Sequence, residues 1–147
     1  MQAKDFLDAL DDDVVVKAIA DAEKRTSGEI RVFVTHKPVK DAVLAARQHF
    51  LELGMTKTEA RNGVLIFFAP KSRSFAVIGD KGVHEKCGQH FWEHVTGKMT
   101  PLLKEGKFAE AVVLAVKEIG EVLAKEFPWK AGDRNELPNQ VARDKDK

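Results

Sequence analysis

Gly63-Val64-Leu65-Ile66-Phe67-Phe68-Ala69-Pro70 is the stretch on which the fold turns. From Val64 to Ala69 every side chain is apolar, and Gly63 and Pro70 close the run at either end. That pattern fits a central strand buried on both faces. Downstream, Phe75 to Ile78 resumes the apolar character after Lys71-Ser72-Arg73-Ser74. A connection so short permits only an antiparallel hairpin, because parallel strands need a crossover of about a dozen residues or more. Upstream, Glu29 to His36 alternates, with Ile30, Val32 and Val34 on one side and Arg31, Phe33 and Thr35 on the other, until Pro38 ends the strand. Between these two strands, Val39, Ala42, Val43, Ala46, Phe50 and Leu53 recur at helical spacing before Gly54. They predict an amphipathic crossover helix over 39–53.

Helices flank this strand set. Asp11, Asp12 and Asp13 precede Val14, Val15, Ala18, Ile19 and Ala22, an acidic start that the helix dipole favours, and the helix should end near Gly28. Phe91, Trp92, Val95, Met99, Leu102 and Leu103 form a further stripe, with Pro101 expected to kink or break it. The stripe of Phe108, Ala111, Val112, Ala115, Ile119, Val122 and Leu123 stops before Pro128. The predicted fold class is α/β: a small mixed β-sheet with helices packed on both faces, an α/β/α sandwich over residues 1–127. Residues 128–147 read as a polar C-terminal tail, extended or frayed.

A length of 147 residues suits one domain, and 44% hydrophobic with 32% charged residues suits a packed core. The net charge of +1 provides no long-range field for a polyanion, so no nucleic-acid partner is expected. Cys87 is the only cysteine, which excludes an internal disulfide and fits a reducing compartment. The opening MQAKDFLDALDDD has neither the basic start nor the apolar run of a signal peptide, and no run approaches the ~20 residues of a membrane helix. A cytoplasmic location without membrane insertion is therefore expected.

A right-handed crossover puts the N-terminal ends of the first two strands at one edge, and the hairpin returns the end of the third strand there. Ser27-Gly28-Glu29, Arg61-Asn62-Gly63 and Gly79-Asp80-Lys81-Gly82 should thus converge. Glu29 and Asp80 are candidate metal ligands, with Asp133 and Glu136 as possible additions from the tail; Ser27, Gly28, Arg61 and Asn62 are candidate ligand-binding residues. Carboxylate and amide oxygens suit a hard cation, Ca²⁺, Mg²⁺ or Mn²⁺, while Arg61 suits a phosphate. The glycines at 28, 63, 79 and 82 would let the backbone approach a ligand closely or adopt positive φ. The alternative is that Glu29, Arg61 and Asp80 form an ion-pair group that only orders loops.

Other motifs carry less. His90-Phe91-Trp92-Glu93-His94 has zinc-protease spacing, but no third ligand is evident and Phe91 and Trp92 belong to the apolar stripe, so exposed histidines on an amphipathic helix are the better reading. A site from His84, Cys87, His90 and His94 is interrupted by Gly88. Asp11-Asp12-Asp13-Val14-Val15 resembles an aspartyl-phosphate string without a preceding strand, and Cys87 has no arginine in the next seven positions. No nucleophile-elbow, Walker or dinucleotide-binding motif occurs.

Thr26-Ser27-Gly28-Glu29-Ile30, Arg61-Asn62-Gly63-Val64-Leu65-Ile66-Phe67 and Gly79-Asp80-Lys81-Gly82-Val83-His84-Glu85, in this order, resemble the landmark segments of the TPM domain, known from thylakoid-lumen and photosystem II repair proteins. The resemblance spans about Val14 to Phe127 and is similar in outline to short, soluble bacterial members. It implies a compact α/β/α sandwich, and, in different members, acid phosphatase activity, divalent-metal binding or association with membrane complexes. Many members carry a signal peptide and a membrane anchor, neither of which this sequence shows. Two functions follow as expectations. One is a divalent-metal-binding accessory module for a membrane-associated protein partner or a stress or repair process. The other is a slow metal-dependent acid phosphatase.

Overall fold

The computed structural model describes residues 1–130 and 137–144. Strand β1 (Glu29–Val34) pairs in parallel with β2 (Gly63–Ala69), from Glu29 opposite Gly63 to Val34 opposite Phe68. Strand β3 (Ser74–Gly79) runs antiparallel to β2, with Val64 opposite Gly79 and Ala69 opposite Ser74. A two-residue β4 (Ala142–Arg143) joins the free side of β1 in parallel, giving the order β3-β2-β1-β4. All seven residues of β2 are buried, as its uniform apolarity requires.

Alternation along β1 sends side chains to two cores. Ile30, Val32 and Val34, with Val64, Ile66, Phe68 and Val77, meet five helices on one face. These are α1 (Ala3–Leu10), α2 (Asp12–Glu23), α4 (Lys81–Cys87), α5 (Gln89–Lys104) and α6 (Phe108–Glu126). Phe33, Leu65, Phe67, Ala69 and Ala76 face the other way, onto Ala46 and Phe50 of α3 (Ala42–Glu52) and onto Met55. The mixed sheet flanked on both faces is the expected α/β sandwich, and the parallel crossover and tight hairpin are the expected connections.

Several boundaries differ from the sequence reading. Helix α3 starts at Ala42, not Val39, because the Asp41 carboxylate accepts from the amides of Val43 (3.0 Å) and Leu44 (3.2 Å) and caps it there. Helices α1 and α4 were not expected from the sequence. The first is short and places Phe6 and Leu10 in the core. Asp11, at φ 56°, separates it from α2, which ends at Glu23, well before Gly28. Pro101 does not break α5, which runs on to Lys104, with the Pro101 carbonyl still accepting from Glu105 at 3.2 Å. Only one backbone bond of the last turns is lost, while Met99, Leu102 and Leu103 keep that segment on the core. The tail is more than an extended appendage, since β4 pairs with β1 through backbone groups that demand no apolar sequence.

Candidate functional site

The three expected segments meet at the edge formed by the starts of β1 and β2 and the end of β3. The Asn62 carbonyl accepts from the Glu29 amide at 3.3 Å, and the Gly63 carbonyl accepts from the Asp80 amide at 2.9 Å. The Asn62 side-chain amide donates to Ser27 Oγ at 3.3 Å, so the 27–29 and 61–63 loops are joined by side chain as well as backbone. Asn62 is 1% exposed, and its Oδ1 is a buried acceptor with no hydrogen-bond partner among the described residues.

Asp80 has a different occupation. Arg61 grips both of its oxygens, Nε to Oδ2 and Nη2 to Oδ1, each at 2.7 Å, and the Lys81 amide adds a bond to Oδ1 at 2.7 Å. Asp80 is thereby the N-cap of α4 and the anchor of the 61–62 loop, where Arg61 has φ 51°. Arg61 remains partly open to solvent, with 46% of its side chain exposed. The Oε1 of Glu29 accepts from the Leu137 amide at 2.6 Å, so the returning C-terminal segment helps bury it to 2% exposure.

The glycines act differently from the expectation. Positive φ is found at Gly54, Gly88 and Gly106, not at 28, 63, 79 or 82. A Cβ at Gly28 would lie 2.9 Å from Leu123, one at Gly79 would enter the ring of Trp92, and one at Gly82 would lie 2.5 Å from the Ala60 carbonyl oxygen. These glycines let protein pack on protein.

Residues 1–122 match the family model of the TPM domain. The chain belongs to the TPM-domain family. It is also similar to the BA42 protein of the psychrophilic bacterium Bizionia argentinensis, known from an NMR structure, at 38% identity over 90% of this chain and 92% of that one, with a TM-score of 0.83. No curated protein matches the chain.

One residue of this TPM domain escaped the sequence reading. The Glu23 carboxylate accepts from the Ile30 amide at 3.0 Å beside the start of β1. Burial, with the nearby charge of Glu29 adding to it, pushes the Glu23 carboxyl up to about 7 from 4.5, while bonds from Ile30 and Asn139 pull the other way. The signal was present, since Glu23 follows Ile19 by four residues and so continues the buried Val15-Ile19 stripe with a carboxylate.

On the histidine-rich helix, as elsewhere among the described residues, no three His, Cys, Asp or Glu side chains group so as to hold an ion. His90 is fully exposed beside Glu93, and His94 lies 3.9 Å from Glu118. His84 accepts at Nδ1 from Trp92 Nε1 at 3.1 Å, which packs α4 against α5. Burial, with the charge of Glu126 adding to it, raises the Cys87 thiol above its ordinary range. Asp133 and Glu136 lie outside the described residues. No helix among the described residues is long and apolar enough to cross a membrane.

Proposed function

We infer that the converging edge takes a hard divalent cation, Ca²⁺, Mg²⁺ or Mn²⁺, and that the domain works as a metal-binding accessory module for a membrane-associated protein partner or a stress or repair process. The observation that carries this reading is the Asn62 Oδ1, buried and without a donor. Leaving such an acceptor unmade costs about 1–3 kcal/mol, which a cation would remove. Beside Asn62 stands a hydroxyl oxygen, Ser27 Oγ, and the Glu29 amide bonds the Asn62 backbone carbonyl, so the first residue of β1 adjoins it and its carboxylate would complete the donor set. Those are oxygen donors of the kind these cations take. In this reading Asp80 serves through Arg61, by holding the loop that presents Asn62.

Calcium, magnesium and manganese titrations test the site. Binding to the folded state should raise the melting temperature and move the amide signals of residues 28 and 62, and Asn62→Ala or Glu29→Gln should abolish both effects. If none of the three cations shifts either readout, the edge is a structural junction and the reading fails. The accessory role is tested by a pull-down from membrane extract that retains the wild type and loses surface variants.

A second reading, a slow metal-dependent phosphatase, is favoured by the half-exposed guanidinium of Arg61 at this edge. A cation at this edge would activate water and polarise a phosphoryl oxygen, with the half-exposed Arg61 as a phosphate contact. Hydrolysis of p-nitrophenyl phosphate that survives purification and disappears in Asp80→Ala would establish it.

A further inference from the structure

At the opposite end of the sheet, where β2 ends and β3 begins, lies a cavity of about 460 Å³ that the converging loops do not touch. Its wall is a row of rings. Phe108 and Phe6 stand 4.7 Å apart between centroids, Phe6 and Phe68 4.8 Å, and Phe68 and Phe75 6.1 Å. Phe6 and Phe68 are buried, whereas Phe75 and Phe108 are half-buried and open toward the cavity that all four line.

Two cations line the same cavity, Arg73 and Lys104. Arg73 is fixed by a tight turn, with φ 48° and its amide donating to the Pro70 carbonyl at 3.0 Å. Lys104 ends α5. Neither has an ion-pair partner among the described residues, in contrast to Arg61 with Asp80 and Lys98 with Glu118.

An aromatic wall gives no bonds to a bare hydrated anion, and burying one there is costly. A neutral hydrocarbon makes no use of two unpaired cations. A ligand that has both parts uses both. We propose that this cavity binds a small carboxylate with an apolar body, its hydrocarbon or ring against the phenylalanines and its carboxylate between Arg73 and Lys104. The volume falls in the range of about 300–1,000 Å³ usual for small-molecule sites, and guanidinium and ammonium donors are the strong partners for a carboxylate.

The test is an NMR titration of the intact chain with 1-naphthoate and with decanoate, each paired with its neutral alcohol. The acids should move amide signals of residues 73–75 and 103–108, and the alcohols should bind far more weakly. The double variant Arg73→Ala, Lys104→Ala should weaken acid binding by about tenfold or more, as loss of charge-assisted contacts implies. Both side chains are on exposed residues, so the variant should keep its fold and its spectrum. Three results would each overturn the proposal: no shifts with either acid, equal affinity for acid and alcohol, or acid affinity unchanged in the double variant. None depends on cations at the other edge.

Discussion

Glu23 and Asn62 are residues whose surroundings oppose their chemistry. Glu23 continues an apolar helix stripe, and its carboxyl is pushed up to about 7. Between 4.5 and 7 the folded chain therefore holds a proton that the unfolded chain releases, so this group's contribution to stability is best at low pH and declines as pH rises through 7. Glu23→Gln should be more stable than wild type at pH 8 by at most ~3 kcal/mol, and the advantage should vanish near pH 4.5. Urea unfolding at the two pH values checks it, and equal stabilities at pH 8 would mean that Glu23 ionises at no cost. Asn62 offers a second check at this scale. Asn62→Leu removes the orphan carbonyl together with the bond to Ser27, so it should lose cation response while changing stability by only about 1 kcal/mol.

Among the elements, α6 and α4 show how differently helices were written into the sequence. The stripe of α6 was legible because seven of its residues are buried in one row, Ile119 among them at 0% exposure. Ile119→Ala should cost about 2–5 kcal/mol in chemical denaturation, the range for deleting a buried large aliphatic group. Helix α4 was illegible for a physical reason. It is only seven residues long, buries Val83 alone, and is held by the Asp80 cap and by the contact of Gly82 with the 60–61 backbone. Gly82→Ala should cost about 1–3 kcal/mol, because the obstructing atoms are backbone carbonyl oxygens at 2.5 and 2.7 Å that cannot swing aside. A melting temperature equal to wild type would show that the loop yields freely. Likewise, α1 was hidden by its acidic setting, while Asp41 moved the start of α3 by a local bond that periodicity does not register.

For the whole molecule, the C-terminal segment closes the β1 side of the sheet. Beyond β4, the Asp144 carboxylate accepts from the His36 amide at 2.8 Å, Val141 donates to Asp12 at 3.3 Å, and Leu137 covers Glu29. Ending the chain at Lys130 should lower the melting temperature and leave β1 as an open edge prone to self-association, which calorimetry and sedimentation would detect; an unchanged monomer would show that the segment adds nothing. By itself the sequence determined the three main strands, their parallel and antiparallel pairings, the crossover and the convergence of residues 27–29, 61–63 and 79–82. Each rests on local periodicity or on connection length, and both are properties of short stretches of chain. Only the tertiary structure decided that Asp80 is taken by Arg61, that Glu23 shares the burial of Glu29, that the glycines seat protein atoms, and that a polar tail forms an edge strand. Those outcomes depend on which groups from distant segments are brought together and removed from water, and sequence spacing alone does not encode that.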